Sequence, residues 1–160
     1  MTVQLADATG PDSRRTDPVS VLDLLDDAAS GRGTVFFPGE ESEPTPIRGL
    51  WEASEISAQW IAAHVGSGAT VAAVLTNTRA CVVALLGAWR AGCTVASLPL
   101  PARAVAPEIY GGQVARFCAA AGADTILVDP THALLLDDAA LSVHTFDETL
   151  LGGPRSSATS

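Results

Sequence analysis

The sequence predicts an α/β fold: a parallel-type sheet with helices on both faces, preceded by a small N-terminal hairpin. Two features indicate it. From residue 70 onward, short apolar runs of strand length alternate with longer segments of helical periodicity. This order is typical of strand–helix–strand units, whose right-handed crossovers build parallel sheets. The clearest runs of strand length are residues 71–75, 94–98 and 125–128. The run over 71–75 is also continuously apolar, as expected for a strand covered on both faces.

Before residue 70 the patterns predict two helices and the hairpin. Ser20 followed three residues later by Asp23 is a capping box, which marks the start of the first helix. Pro46 confines any strand that contains it to a sheet edge. The predicted elements are a helix over 19–29, a strand over 34–37, an edge strand over 45–50 and a helix over 51–65.

After residue 70, glycine and proline mark the element boundaries. Asn77 and Thr78 are both suited to cap a helix, and Gly92 suits the left-handed position after its end. Pro107 suits the first turn of the next helix, which Gly122 closes. The predicted elements are strands over 71–75, 94–98, 125–128 and 141–146, helices over 80–91 and 107–121, and a weak helix over 132–138.

Composition favours one globular domain over residues 18–151. Residues 1–17 and 152–160 lack periodicity and are rich in polar and turn-forming residues, so we expect a disordered arm and a disordered tail. The hydrophobic fraction is 48%, but only 5% of the residues are aromatic. Packing should therefore rest on Ala, Val and Leu, with Trp51, Trp60 and Trp89 as large anchors.

Charge and cysteine usage exclude several function classes. The net charge is −9, and the nine basic residues are all arginine and are scattered, which argues against binding to nucleic acid or to an anionic membrane. No apolar run reaches the length of a membrane span, and no signal peptide is visible. The three cysteines lack metal-type spacing, so a cytoplasmic, reducing location is expected.

Ligands of open parallel sheets bind beyond the carboxyl ends of the strands. Those ends carry no glycine-rich phosphate loop, and a chain without lysine cannot complete a Walker-type loop. Two polar residues there are candidate ligand-binding residues: Asn77, which could instead cap the next helix, and Arg103, which could meet a carboxylate or phosphate or simply be solvated. No catalytic residue and no metal site are predicted, because the histidines are widely separated and the acidic pairs are adjacent on helices.

Three stretches resemble the N-terminal part of the adenylate-forming, or AMP-binding, ligases. They are residues 71–77 (Val-Ala-Ala-Val-Leu-Thr-Asn), 82–92 (Val-Val-Ala-Leu-Leu-Gly-Ala-Trp-Arg-Ala-Gly) and 95–101 (Val-Ala-Ser-Leu-Pro-Leu-Pro). The doubled proline is similar to the fatty acyl-AMP ligase branch, and acyl-CoA synthetases and peptide-synthetase adenylation domains share the pattern. The resemblance continues through Gln113, Arg116 and residues 125–129, and it covers roughly residues 19–150. The family's Tyr-x-Glu-Leu motif is not intact in residues 51–63.

The resemblance implies a reaction that this sequence contains only in part. The family joins a carboxylic or fatty acid to ATP, with Mg²⁺, giving acyl-AMP, and then transfers the acyl group to a carrier-protein or CoA thiol. The family's phosphate loop, its aromatic-Gly-x-Thr-Glu segment, its ribose-binding Asp and its catalytic lysine have no counterpart here. The resemblance therefore implies a truncated or split ligase that is not expected to be active alone.

Three functional interpretations remain open at this point. The chain could supply the first subdomain of a ligase, with a companion chain supplying nucleotide binding. It could be a non-catalytic interaction or regulatory module derived from such an enzyme, which would pair or self-associate through exposed apolar surface. It could also be an unrelated α/β domain that binds a small ligand near Arg103.

Overall fold

The computed structural model describes residues 20–40, 43–102, 105–136 and 141–151. In chain order the elements are α1 (Val21–Ser30), β1 (Thr34–Val35), β2 (Thr45–Pro46), α2 (Ile47–His64), β3 (Thr70–Val74), α3 (Arg79–Arg90), β4 (Thr94–Leu98), α4 (Pro107–Ala121), β5 (Thr125–Val128), α5 (Pro130–Ala133), β6 (Ser142–Thr145) and α6 (Phe146–Leu151). The predicted arm and tail, over 1–17 and 152–160, lie outside the described residues.

The central sheet is parallel, with strand order β4-β3-β5-β6. The inner strand β3 pairs with β4 on one side and with β5 on the other. Its Ala72 lies opposite Ala96 of β4 and Ile126 of β5. β1 and β2 form a separate antiparallel pair. The predicted parallel sheet and N-terminal hairpin are therefore confirmed.

Helices cover both faces of this sheet, as the continuous apolar strands predicted. Val71 and Ala73 of β3 face one cluster, and Ala72 and Val74 face the other. In the first cluster the helices α2, α3 and α6 contribute Trp60, Ile61, Cys81, Ala84, Ala88 and Phe146. In the second cluster α4 contributes Tyr110, Val114 and Cys118. A strand whose side chains are buried on both sides must lie between two helical layers.

The hairpin and α1 pack on the outer side of α2 and α3. A third cluster joins Phe37, Leu50, Val83 and Leu86, and Leu25 of α1 packs against it. The predicted capping box starts α1, because the Ser20 hydroxyl accepts a hydrogen bond from Asp23 N (3.1 Å), and the Asp23 carboxylate accepts one from Ser20 N (3.1 Å). Both hydrogen bonds satisfy backbone donors that the helix leaves free.

The return strand predicted over 45–50 is wrong beyond Pro46. β2 has only two residues, and α2 begins at Ile47 rather than at residue 51. Pro46 has φ −61° and ψ 138° and serves as the N-cap, while Ile47 N donates to Gly33 O (2.9 Å). The strand therefore ends where proline cannot donate a ladder hydrogen bond, and the helix starts at once.

The C-terminal boundaries also differ from the prediction. The weak helix predicted over 132–138 is a single turn, α5, and residues 137–140 lie outside the described residues. The helix α6 was not predicted, although Thr145 and Glu148 carry its signal. Glu148 N donates to Thr145 Oγ1 (3.4 Å), as expected for a Thr-x-x-Glu start.

Arg90 joins α3 to α2, so the Trp-Arg-Ala-Gly segment at residues 89–92 serves to pack these two helices together. Its Nη1 donates to Trp51 O (3.0 Å) and to Ser54 Oγ (3.3 Å), and its Nη2 pairs with the Glu55 carboxylate. The guanidinium also lies 4.2 Å from the centre of the Trp51 ring. This stacking and forked hydrogen bonding suit arginine better than lysine.

The three tryptophans predicted as anchors differ in burial. Trp60 is 4% exposed and lies at the centre of the first cluster. Trp51 and Trp89 are half-buried and pack against the third cluster. The prediction that all three are large packing anchors is therefore confirmed most fully for Trp60.

Candidate functional site

The side on which the chain adds its next strand changes at β3. From β3 it moves outward to β4, and then returns through α4 to β5 on the other side of β3. Ligands of open parallel sheets bind at such a switch point, beyond the carboxyl ends of the two strands. Thr76, Asn77 and Thr78 follow β3 there, and Asp129 follows β5.

An open cleft of about 440 Å³ lies at this switch point. One part of its lining is apolar and the other is polar; the residues are Leu75, Thr76, Asn77, Leu100, Pro101 and His132. The volume is within the range of small-molecule sites, which run from about 300 to 1,000 Å³. The cleft is therefore the candidate functional site of the described residues.

Of the two ligand-binding residues predicted from sequence, the structure places one in the cleft. Asn77 is exposed and lines it. The alternative role for Asn77, capping α3, is taken by Thr78, whose hydroxyl accepts a hydrogen bond from Cys81 N (3.2 Å). Arg103 lies outside the described residues, so its predicted role stays a prediction.

A chain of hydroxyl groups connects the two sides of the switch point. Thr78 Oγ1 donates to Asp129 Oδ1 (3.4 Å) and lies 3.1 Å from Thr76 Oγ1. Either hydroxyl of the Thr76–Thr78 pair can act as the donor. These residues were not grouped at the sequence level, since Thr78 and Asp129 are 51 positions apart.

Histidine 132 is the titratable residue in the cleft lining. Its Nδ1 lies 3.7 Å from Asp129 Oδ2, is shielded from solvent and makes no hydrogen bond. The His132 side chain lines the cleft beside Thr76 and Asn77.

A second, more apolar groove lies between the exit of β4 and the outer face of α4. Its volume is about 510 Å³, and it is lined by Pro99, Gln113, Arg116, Phe117 and Ala120. Phe117 is 50% exposed, which is unusual for a side chain of this size. This groove is a candidate contact surface rather than a chemical site, because Arg116 is the one charged residue in the part of its lining that the structure describes.

The remaining histidines lie on the opposite face of the sheet, around Trp60. His64 stacks on the Trp60 ring at 4.3 Å, and His144 meets the same ring edge-on at 5.0 Å. His144 Nδ1 donates to Glu148 Oε2 (3.1 Å), and its Nε2 forms a hydrogen bond with Ser142 Oγ (3.0 Å). These contacts tie β6 and α6 to α2. No group of three potential metal-binding side chains occurs in the part of the chain that the structure describes.

No protein-family model and no curated protein sequence matches the chain, but solved structures do. A structure of the fatty acyl-adenylate ligases studied from E. coli and L. pneumophila matches with a TM-score of 0.74 and 17% identity, over 91% of this chain and 28% of that chain. The N-terminal subdomain of NpsA from Klebsiella oxytoca, in complex with 3-hydroxyanthranilyl-AMSN, matches with a TM-score of 0.63 and 17% identity, over 88% and 34%.

A third match is to O-succinylbenzoate coenzyme A synthetase (MenE) from Bacillus subtilis, in complex with AMP. Its TM-score is 0.60 at 20% identity, over 79% of this chain and 32% of that chain. The chain has the fold of the N-terminal part of an adenylate-forming ligase. The resemblance read from the sequence is thus confirmed at the level of the fold, and the chain spans about a third or less of each of these three ligase chains.

The resemblance implies ATP and Mg²⁺ for the complete family enzyme, but the described segments after β3 and β5 do not resemble a loop that binds a nucleotide phosphate. The segments after β3 and β5, Thr76-Asn77-Thr78 and Asp129-Pro130-Thr131, contain no glycine to let a phosphate approach the backbone. The sequence has no lysine to neutralise a phosphate.

None of the described helices is long and apolar enough to cross a membrane.

Burial makes the folded protein sensitive to alkaline pH. It raises the pKa of the Cys81 and Cys118 thiols above their ordinary value of 9.0, and for Cys81 the Asp129 carboxylate adds to the increase while hydrogen bonds from Thr76 oppose it. Burial also raises the pKa of Tyr110 above 10.0. The folded state therefore keeps protons that the unfolded chain has already released.

These three groups should add no pH dependence to the free energy of unfolding below about pH 8, and they should lower it as the pH rises through 9 and 10, because the unfolded state loses its protons first. Urea titrations across this range, with a reducing agent present, measure the effect. Cys118→Ala should make the decline shallower. A free energy of unfolding that rises between these pH values would contradict the assignment.

Proposed function

We propose that this domain is the first subdomain of an adenylate-forming acyl ligase. The observation that supports the proposal is the fold match over 91% of this chain at a TM-score of 0.74. The reaction of the complete enzyme is then the activation of a carboxylic or fatty acid with ATP to acyl-AMP and pyrophosphate, followed by transfer of the acyl group to a thiol.

The domain's own contribution to this reaction is structural. Its double-sided sheet fixes the carboxyl ends of β3 and β5, and its helices present surfaces on which the remaining parts of a ligase can pack. The segments that bind ATP and Mg²⁺ belong to another polypeptide segment, either in the same protein or in a companion chain. This assignment agrees with the poor fit of the described residues to a nucleotide phosphate.

The partners follow from the reaction. An acyl carrier protein or CoA supplies the acceptor thiol, and the setting is the cytoplasm, in fatty acid metabolism or the biosynthesis of a secondary metabolite. The buried, reduced cysteines at positions 81, 93 and 118 suit that compartment.

The function is tested with the polypeptide encoded next to this chain. Each protein alone, and the two co-expressed, are assayed for ATP–pyrophosphate exchange that depends on added fatty acid. We expect exchange only from the combination. Robust exchange by this chain alone would falsify the division of labour, and no exchange by a folded, co-purifying pair would contradict the ligase assignment.

A second candidate function is a non-catalytic interaction module, and the outer face of α4 favours it. Ile109 is 58% exposed and Phe117 is 50% exposed on this helix. Apolar surface of this kind is typical of a contact with another protein or with a second copy. Size-exclusion chromatography with light scattering tests it: association that Phe117→Ser abolishes supports the module, whereas a clean monomer that binds no apolar dye counts against it.

A further inference from the structure

We propose that two copies of this chain pair through the outer faces of their α4 helices, which run antiparallel about a two-fold axis near Gln113. Three features carry this pairing: the groove on α4, the exposed side chain of Ile109, and the charges of Glu108 and Arg116. The pairing rests on the second candidate function, in that the outer face of α4 is a contact surface, and it commits that face to a second copy. It is independent of the ligase assignment.

The groove on α4 has the form of a hole between four side chains of one helix. Its lining from α4 has the spacing i, i+3, i+4, i+7, and Pro99 at the exit of β4 adds a further wall; the four residues are Gln113, Arg116, Phe117 and Ala120. In packed helix pairs, a hole of this spacing receives one side chain of the neighbouring helix. The volume of about 510 Å³ leaves room for a branched aliphatic side chain.

Ile109 is a side chain that fits such a hole. It is 58% exposed, and it precedes Gln113 by one turn on the same outer face of α4. The opposite face of the helix is buried and consists of Tyr110, Val114 and Cys118. The outer face therefore carries a protruding apolar side chain and, about two turns later, a hole of the kind that receives one.

A face with both parts is complementary to a second copy of itself. When two α4 helices pack antiparallel about an axis midway between Ile109 and the hole, Ile109 of each copy enters the hole of the other. A two-fold axis makes each contact twice, as in most homodimers. The same contact covers Phe117, which is 50% exposed and lines the hole.

Charge complementarity favours the antiparallel direction. Glu108 lies in the first turn of α4 beside Ile109, and Arg116 lines the hole. The side chain of Glu108 therefore comes next to the partner's Arg116, and this contact also occurs twice. Neither Glu108 nor Arg116 forms a salt bridge with another described residue. A parallel pairing would instead set each of these charges against its own copy, which is repulsive.

The dimer should be weak. One helix from each copy makes a contact at the small end of specific interfaces, below about 1,200 Å² in total. The net charge of −9 on each copy also opposes association. We therefore expect a dissociation constant of about 10–100 µM in about 0.15 M salt.

Sedimentation equilibrium of the full chain between about 1 and 500 µM measures this constant. Glu108→Arg and Arg116→Glu each set like charges against one another in both contacts, so each should weaken the dimer at least about tenfold. The two single variants, mixed in equal amounts, should associate with each other about as tightly as the parent chain. In the mixed dimer both contacts again join opposite charges.

Matched variants separate this interface from general charge effects. Arg48→Glu and Glu52→Arg make the same changes of charge at exposed positions on α2 and should leave the dissociation constant unchanged. Ile109→Ser should weaken the dimer at least about tenfold, because both copies lose the side chain that enters the hole. All the substituted positions are exposed, so the variants should fold, and far-UV circular dichroism verifies this.

Three outcomes would overturn the pairing. A chain that remains monomeric at about 500 µM would exclude it; dye binding then still tests the interaction module, and pyrophosphate exchange still tests the ligase assignment. Dimers that persist in folded Glu108→Arg and Ile109→Ser variants would place the interface elsewhere on the chain. Single charge variants that fail to associate when mixed would contradict the contact between Glu108 and the partner's Arg116.

Discussion

Trp60→Ala is expected to lower the free energy of unfolding by about 3–5 kcal/mol, the range for removing a buried aromatic side chain. Trp60 is 4% exposed, and its ring packs among α2, α3 and the sheet. His64 and His144 contact the ring from two further directions, so the truncation leaves a space whose walls belong to α2 and β6. Rigid elements on several sides cannot collapse into such a cavity, which places the expected loss in the upper part of the range.

Urea unfolding followed by circular dichroism measures this loss, because it does not rely on the tryptophan that is removed. Trp89→Ala is the matched control: the same atoms are deleted from a half-buried ring on α3, and the loss should be clearly smaller. Equal losses for the two variants would show that the first cluster is not the principal core of the domain.

Gly87→Ala should destabilise the protein by about 1–3 kcal/mol, although alanine normally favours a helix. A Cβ at Gly87 would lie 2.5 Å from Ser57 Oγ, 2.6 Å from Ser57 Cβ and 3.0 Å from Ala58 N. Because one of these atoms is backbone, α2 and α3 must move apart to admit a methyl group. The glycine is therefore what allows these two helices to pack so closely.

Gly112→Ala provides the control for this contact. Gly112 also lies inside a helix, α4, but a Cβ there meets nothing within 4 Å. The substitution should raise the free energy of unfolding by about 0.5–1 kcal/mol through helix propensity alone. Chemical denaturation of both variants should thus give changes of opposite sign; a stabilised Gly87→Ala protein would mean that α2 and α3 are not in this close contact.

The core of the fold was predictable because its signals are local and strong. The run at 71–75 is apolar without interruption, and the runs at 94–98 and 125–128 are mostly apolar. Gly92 and Gly122 take the left-handed conformation expected after a helix, with φ of 76° and 67°. Such elements combine period, length and end signals that all agree. The preference for right-handed crossovers then predicts parallel strands, but the order β4-β3-β5-β6 comes from the structure.

The boundaries were harder to predict where two signals competed. Residues 45–50 have strand-like composition, but Pro46 ends the strand and Ile47 begins a helix, because a proline N-cap costs the helix no hydrogen bond. The helix α6 was not predicted, because the composition of residues 141–146 favours a strand up to the point where the helix begins. Thr145 and Glu148 nevertheless form a recognisable helix start.

The candidate site was predictable in location but not in composition. The rule for parallel sheets places it beyond β3 and β5, and Asn77 was identified there from sequence. The contribution of Asp129 and His132 was not, because they join Thr76 and Thr78 only through contacts across the switch point. Residues brought together by a sheet crossover leave no spacing that a sequence pattern can reveal.

The parallel sheet links this chain to the adenylate-forming ligases, and backbone amide NOEs in the labelled protein test it most directly. We predict that Ala72 shows NOEs to residues around Ala96 on one side and around Ile126 on the other, in the pattern of parallel strands. An antiparallel pattern, or an Ala72 without a neighbouring strand on either side, would contradict both the fold and the relationship drawn from it.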